Sequence, residues 1–139
     1  MKPSLETTDR EGMKWIFVSL FIAFFSARVQ ADEPRVVDVR RNITLSDQDK
    51  IYKDFYINGG ADVGFKKGQV LMASRKISVR DASGATNIGE IKVPVGELKI
   101  IAVYDKVTVA RLIKLLDREH LPMLEQTAIM TGDLIEVKK

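Results

Sequence analysis

Apolar and polar residues alternate in short runs from residue 35 to the end of the chain, and alternation with a period of two is typical of a half-buried β-strand. The first run, at residues 35–46, predicts a strand whose apolar side carries Val37, Val39, Ile43 and Leu45. Further alternating or β-branched runs predict more strands, at residues 70–79, 91–95, 98–104 and 134–138. Residues 107–113 have a Val-rich start that favours a strand. From Ala110 the leucine spacing also has a helical period, so the stretch to Arg118 fits both a strand end and a helical turn.

Turn-forming residues separate these runs at close intervals. The residues that we expect to form the turns are Asn58, Gly59, Gly60, Gly64, Gly68, Gly96, Gly132 and Asp133. Glycine tolerates the positive φ that many tight turns require, and Asn and Asp side chains stabilise turns by hydrogen bonds to the backbone. Pro94 has no N–H to donate, so we expect its strand to lie at a sheet edge or to carry a bulge.

The number of runs predicts one all-β domain at residues 32–139. We count five to seven strands, with room for short helical turns at most. Many short strands separated by turn residues are typical of a small β-barrel, either closed or partly open. This segment has 108 residues, which is enough for a single domain with a modest core.

Residues 1–31 predict a cleavable signal peptide. Lys14 precedes an apolar run at residues 15–25, and Val29 and Ala31 occupy the two positions that a signal peptidase recognises. The apolar run is too short to cross a bilayer as a helix, which needs about 20 residues. Met13 is an alternative initiator. The sequence therefore predicts a periplasmic protein with no stable membrane anchor, and a cytoplasmic protein with an N-terminal anchor or buried helix is the alternative.

Charge and composition argue against several kinds of site. The segment before residue 32 holds four of the 22 Lys and Arg residues and three of the 19 Asp and Glu residues, which leaves 18 bases against 16 acids. This near-neutral balance gives no reason to expect nucleic acid as a partner. The chain has no cysteine and one histidine, His120, so we expect no disulfide, no metal site and no cofactor.

Known catalytic motifs are missing from the sequence. No Gly-x-Ser-x-Gly stretch surrounds a serine, and the phosphate-binding stretch Gly-x-x-x-x-Gly-Lys-Ser/Thr is absent. A carboxylate pair drawn from Asp62, Glu90 and Asp105 could support hydrolysis, but acidic residues are ordinary in turns. We therefore expect no catalytic residues and a protein that is not an enzyme.

Five basic residues in the run at 70–79 or close to it are candidates for binding a partner. They are Lys66, Lys67, Arg75, Lys76 and Arg80. With Phe55, Tyr56 and Phe65 as stacking surfaces, such a stripe suits an OB-like or SH3-like module that binds nucleic acid or envelope glycan. An exported protein seldom meets nucleic acid, and the same residues suit the acidic edge of a partner protein.

Several turn motifs resemble those of a known family. The stretches are residues 52–60 (YKDFYINGG), 64–71 (GFKKGQVL), 88–91 (IGEI), 95–100 (VGELKI) and 132–137 (GDLIEV). They are similar to the C-terminal domain of the flagellar assembly protein T family, and the resemblance covers residues 35–139. It implies a periplasmic structural subunit, a component or stabiliser of a ring around the flagellar basal body. It also implies that the partners are other envelope or flagellar ring proteins, including further copies of the chain.

We expect export to remove residues 1–31, because the apolar run is short and Val29 and Ala31 suit cleavage. The intact mass of the protein isolated from its host should correspond to a chain that starts at Asp32. A native N-terminus at Met1 or Met13, with the apolar run retained, would show instead that this segment is an anchor.

Overall fold

The structure is a computed structural model that describes residues 32–139, and the predicted signal peptide, residues 1–31, lies outside the described residues. Six β-strands and one short 3-10 helix occur in the described part of the chain. The strands are β1 (Val36–Arg41), β2 (Lys53–Asn58), β3 (Val70–Arg80), β4 (Asn87–Val103), β5 (Val107–Leu115) and β6 (Leu134–Val137), and the 3-10 helix is at Ala61–Val63. Residues 116–133 form the long β5–β6 loop.

All six strands belong to one antiparallel sheet with the order β1-β2-β5-β4-β3-β6. The outer strands meet at one point, where Arg35 and Leu134 form a single bridge. Beside it the Val36 N–H donates to the Asp133 carbonyl at 2.9 Å. No ladder continues from this bridge in residues 32–139, so the sheet is not closed. The prediction of an all-β fold of five to seven strands, with a partly open barrel as one of its two forms, is confirmed.

One buried cluster takes apolar side chains from every strand and from the β5–β6 loop. Its members include Val36, Phe55, Ile57, Phe65, Leu71, Val93, Val95, Leu98, Ile100, Ala110, Leu124, Ile129 and Ile135. Full burial of one large apolar side chain contributes about 1.5–3 kcal/mol. Because the chain contains no cysteine, this packing takes the place of disulfide bonds in stabilising the domain.

The first strand buries a different side chain from the one predicted. Its register against β2 shifts just after Val36, which places Val36 in the core and leaves Val37 half-exposed. Val39 is half-buried, whereas Ile43 and Leu45 lie beyond the strand and are 88% and 93% exposed. The predicted apolar face was therefore wrong, because a bulge moves the alternation by one residue and nothing in the sequence marks it.

Two of the predicted strands, at residues 91–95 and 98–104, are one continuous strand. β4 has 17 residues, pairs with β3 from Asn87 to Lys99 and pairs with β5 from Gly96 onward. Its register against β3 shifts between Pro94 and Gly96, so a bulge accommodates the missing N–H of proline. The stretch from Ala110 that fitted a strand end or a helical turn continues β5, which ends at Leu115.

A buried ion pair joins β3 to the start of β6. Nε and Nη2 of Arg75 donate to the two carboxylate oxygens of Asp133 at 2.8 and 2.9 Å, and the two side chains are 14% and 2% exposed. The same guanidinium donates to the carbonyls of Gln126 and Ala128 in the β5–β6 loop. The Asp133 carboxylate also accepts from the Met130 N–H at 2.9 Å. This ion pair therefore sets the course of the second half of the loop.

A second buried carboxylate, Glu97 on β4, is held by two lysines. Its Oε1 lies 2.5 Å from Nζ of Lys138 and 4.0 Å from Nζ of Lys114. The hydrogen bond from Lys138 lowers the pKa of Glu97 below its usual 4.5 despite the opposing effect of burial, and the charges of both lysines lower it further. A carboxyl group whose pKa is lowered by folding stabilises the fold above its unfolded-state pKa. It loses that contribution as the pH falls through its folded-state pKa.

The substitution Asp133→Ala should lower the free energy of unfolding by about 3–5 kcal/mol, because it leaves the buried charge of Arg75 without its partner. The matched control is Asp54→Ala, which breaks the more exposed ion pair between Asp54 and Arg111 and should change stability by about 1 kcal/mol or less. Urea denaturation followed by circular dichroism measures both variants. Equal effects of the two substitutions would contradict the role assigned to Asp133.

The substitution Glu97→Gln should make the free energy of unfolding less dependent on pH in the acid range. We expect the variant to be less stable than the parent protein near neutral pH, and the difference to shrink as the pH falls below 4.5. Urea denaturation at a series of pH values from neutral to strongly acid measures the difference. A difference that stays constant over this range would show that ionisation of Glu97 does not stabilise the fold.

Candidate functional site

The connections between strands alternate between two ends of the sheet, because neighbouring strands are antiparallel. The glycine end holds the β2–β3 connection, residues 59–69, and the β4–β5 turn, residues 104–106. The hairpin end holds the β1–β2 connection, residues 42–52, the β3–β4 connection, residues 81–86, and the β5–β6 loop. The two ends differ in how far their apolar side chains are covered.

The glycine end is closely packed. Gly68 has a φ of 89°, which a side chain rarely permits. A Cβ at Gly60 would lie 2.0 Å from the carbonyl oxygen of Tyr104, so no larger residue fits between the two connections. Asn58 accepts a hydrogen bond from the Arg35 N–H at 2.6 Å through its side chain. The predicted turn residues at this end are Asn58, Gly59, Gly60, Gly64 and Gly68, and each lies in the β2–β3 connection or at its border.

The other three predicted turn residues lie elsewhere. Gly96 is inside β4, where a Cβ would approach the Lys114 carbonyl oxygen to 2.8 Å. Gly132 has a φ of 91° and directly precedes Asp133, whose carboxylate binds Arg75. The eight residues of the turn motif therefore act at separate places in the fold and do not form one site.

The hairpin end carries most of the exposed apolar side chains. Of the 17 large apolar side chains that are exposed in residues 32–139, twelve lie on the elements that converge at this end. They are Ile43, Leu45, Ile51, Tyr52, Val79, Ile88, Ile91, Leu112, Ile113, Leu115, Met123 and Met130. Exposed apolar side chains on neighbouring elements are candidates for an interaction site, so the hairpin end is the candidate surface.

The β3–β4 hairpin extends beyond the rest of the sheet. β6 pairs with β3 only as far as Ser74, and β5 pairs with β4 only from Gly96 onward. Residues 76–92 therefore form a two-stranded arm in which β3 and β4 pair only with each other. The five residues that β3 contributes make the paired part of the arm about 17 Å long, at about 3.4 Å per residue.

The arm has one polar and one apolar face, because successive side chains of a strand point to opposite sides. Lys76 and Glu90 form an ion pair at 2.7 Å on the polar face. Ile77 lies opposite Ile91 on the other face and packs against the core. Val79 and Ile91 are 37% and 42% exposed. The apolar face of the sheet thus continues onto the arm and is largely uncovered there.

A groove of about 490 Å³ lies between the arm and the β5–β6 loop. One wall consists of the four consecutive β3 residues Arg75, Lys76, Ile77 and Ser78, and the other of residues 123–126 and Met130. Four consecutive residues can border the groove only if it follows the edge of the strand, because one face exposes every second residue. We call it the β3-edge groove. Its volume is within the range of about 300–1,000 Å³ of known ligand sites.

The structure separates the five basic residues that were predicted to bind a partner. Lys66 and Lys67 lie at the glycine end, and Arg80 lies at the far end of the 11-residue strand β3, about 30 Å or more away. Arg75 makes four hydrogen bonds within the domain, so its charge is not free for a partner. Lys76 and Arg80 both lie on the arm. A contact between these residues and a partner stays a prediction.

The three aromatic residues proposed as stacking surfaces differ in how far their rings are buried. Phe55 and Phe65 are buried in the core, so neither ring can stack on a base or a sugar. Tyr56 is half-buried, and the guanidinium of Arg40 lies 4.9 Å from the centre of its ring. The structure does not join these three rings to the basic residues in one surface.

Sequence analysis missed the apolar side chains that surround the β3-edge groove, Val79 and Ile91 on the arm and Met123 and Met130 on the loop. The lengths of two runs in the sequence are an indication of the arm. The run at residues 70–79 is twice as long as the run at 134–138, so pairing between these two runs would leave about half of the longer one unpaired. The loop residues carried no signal of this kind, because the course of the loop depends on Arg75.

No group of three or more His, Cys, Asp or Glu residues that could hold a metal ion occurs in residues 32–139. The same part of the chain contains no helix that is long and apolar enough to span a membrane. His120, the one histidine, is exposed in the β5–β6 loop.

Comparison with known proteins identifies no relative. No protein-family model matches the chain, and neither the curated proteins nor the solved structures contain a match. Membership of the flagellar assembly protein T family therefore stays a prediction.

Proposed function

We propose that this chain is a non-enzymatic assembly module of the periplasm, a component or stabiliser of a flagellar basal-body ring, and that it binds its partner through the hairpin end. The observation that carries the proposal is the concentration of exposed apolar side chains at that end. The predicted export signal supports the compartment, and the turn motifs support the ring.

The exposed side chains are sufficient to stabilise a complex. Ile43, Leu45 and Met123 are each about nine-tenths exposed, so a partner that covers them removes nearly their whole surface from water. Burial of one such side chain contributes about 1.5–3 kcal/mol. Association must offset several kcal/mol of lost translational and rotational freedom. Burial of several of these side chains together therefore favours binding.

Charged residues lie beside the apolar ones, as at the rim of many protein interfaces. Arg111 on β5 donates to Asp54 at 2.6 Å, and its guanidinium lies 4.7 Å from the centre of the Tyr52 ring. Lys76 and Glu90 form a similar exposed ion pair on the arm. Exposed pairs of this kind contribute little to stability, so they orient a partner more than they strengthen its binding.

An OB-like or SH3-like module for nucleic acid or envelope glycan is the alternative. The burial of Phe55 and Phe65 removes two of its three proposed stacking surfaces. The separation of Lys66 and Lys67 from Arg80 divides the basic stripe. These observations favour the assembly module.

The double variant Ile43→Asp, Leu45→Asp should prevent assembly without affecting folding. Both side chains are exposed and lie outside the strands, so the free energy of unfolding should change by about 0.5 kcal/mol or less. We expect the parent protein to fractionate with purified basal bodies and the double variant to be lost from them. Motility should fall to that of a deletion strain, while cell growth stays normal.

The matched control is Tyr104→Asp, which places a charge on an exposed side chain at the glycine end and should leave both assembly and motility intact. Retention of the double variant in basal bodies would show that the hairpin end is not the docking surface. If the parent protein is absent from basal bodies and its deletion leaves motility normal, the ring proposal is wrong. Tight binding of single-stranded nucleic acid that weakens steeply with salt would favour the alternative module.

A further inference from the structure

The free edge of β3 in the β3-edge groove has the geometry of a strand-binding site. Alternate residues of a strand direct their backbone N–H and C=O groups to opposite neighbours. The carbonyl of Val70 accepts from the Lys138 N–H at 2.9 Å, so Val70 and every second residue after it point to the side of β6. The backbone groups of Lys76 and Ser78 therefore point to that side, which beyond Ser74 is the groove.

These backbone groups have no hydrogen-bond partner in residues 32–139. β6 reaches only to Ser74, and the chain before β6 turns away into the β5–β6 loop. At the other end of the arm the Asp81 N–H donates to the Thr86 carbonyl at 3.0 Å on the β4 side, in agreement with the alternation. An unpaired strand edge is a template for a further strand.

The groove beside this edge is held open within the domain. Arg75 binds the carbonyls of Gln126 and Ala128, so the loop stands away from the edge of β3 and does not pair with it. The loop wall presents Met123 and Met130, whose flexible side chains can adapt to the apolar residues of an added segment. An added strand would continue the line of β6.

The charges on the arm indicate what kind of strand fits. An antiparallel pairing of this edge with the same edge of a second copy, centred on Ser78, would place Lys76 of each copy opposite Arg80 of the other. Like charges directly opposite on a sheet are destabilising, so this pairing of two copies is disfavoured. Lys76 is already paired with Glu90, so the charge that favours an acidic side chain opposite it is that of Arg80. Ile77 and Val79, on the other face, favour apolar ones.

As an extension of the proposed assembly function, we propose that the β3-edge groove binds an extended segment of a different protein as an added β-strand, in which apolar and acidic residues alternate. The backbone of that segment pairs with the N–H and C=O groups of Lys76 and Ser78. Its apolar side chains lie against Ile77 and Val79, and its acidic side chains lie on the face of Arg80 and of the ion pair between Lys76 and Glu90. Backbone pairing provides affinity, and the alternation provides selectivity.

The substitution Ser78→Pro tests the backbone contact. Proline removes the Ser78 N–H, which points into the groove, and removes no hydrogen bond between β3 and β4, so the sheet should persist. Ser78→Ala is the matched control, because it removes the hydroxyl and keeps the N–H. The probe is a hexapeptide of alternating valine and glutamate that is blocked at both ends. It is added to the predicted mature chain, residues 32–139.

We expect the probe to shift the backbone amide signals of Lys76 and Ser78 in an NMR titration of the parent protein. Ser78→Pro should weaken binding about tenfold or more, and Ser78→Ala should change it by about twofold or less. Circular dichroism shows whether both variants are folded. If Ser78→Pro does not fold, hexapeptides N-methylated at alternate residues replace it. Methylation of the amides that face β3 should abolish binding, and methylation of the other set should not.

Two results would overturn the added-strand proposal: no binding of the probe at about 1 mM, or equal affinities of the proline and alanine variants. Both leave the proposed function untouched, because that function is tested separately by the Ile43 and Leu45 double variant in basal bodies. If the probe binds, but Ser78→Pro is retained in basal bodies to the same extent as Ser78→Ala, the groove does not hold the assembly partner. A dimer of the chain that Ser78→Pro abolishes would show that the occupant is a second copy.

Discussion

The buried ion pair between Arg75 and Asp133 is the interaction on which the hairpin end of the domain depends. β6 has only four residues, and its pairing with β3 alone would secure it weakly. The ion pair attaches Asp133, the residue directly before β6, to the middle of β3. The carbonyl of Asp133 also accepts a hydrogen bond from the Val36 N–H, which joins β1 to the same point. The two outer strands of the open sheet are thus held together where the salt bridge is buried. Removal of either charge would leave the other buried without a partner.

The same ion pair also creates the β3-edge groove. Arg75 uses its remaining N–H groups on two carbonyls of the β5–β6 loop, so the loop is fixed at a distance from the strand that it would otherwise cover. One residue thereby links the stability of the sheet to the shape of the surface beside it. A basic residue in a strand is an ordinary candidate for binding a partner, but here its charge is used inside the domain.

The arm combines a fixed tip with an uncovered face. An isolated two-stranded hairpin is marginally stable in water. In the tip of the arm, the hydroxyl of Ser83 and the N–H of Thr86 donate to the Asp81 carboxylate. The hydrogen bond from Ser83, more than that from Thr86, lowers the pKa of Asp81. The root is anchored because Ile77 packs against the core. Between these points the apolar side chains remain exposed, so a partner can bury them without any rearrangement of the domain. The glycine end exposes fewer large apolar side chains, which are Val63, Tyr104 and Val107.

The sequence by itself determined the all-β class, the approximate number of strands and the positions of most tight turns, but the turn predicted at Gly96 lies inside β4. These are local properties: alternation of apolar and polar residues sets a strand, and Gly68 marks a positive φ that few other residues accept. The tertiary structure alone decided that Val36 and not Val37 is buried, because a bulge arises from pairing with β2. It also decided that Arg75 is enclosed while Arg80 is exposed, and that the edge of β3 is free beyond Ser74. Each of these outcomes depends on a partner that is distant in the sequence, and no local pattern records where such a partner ends.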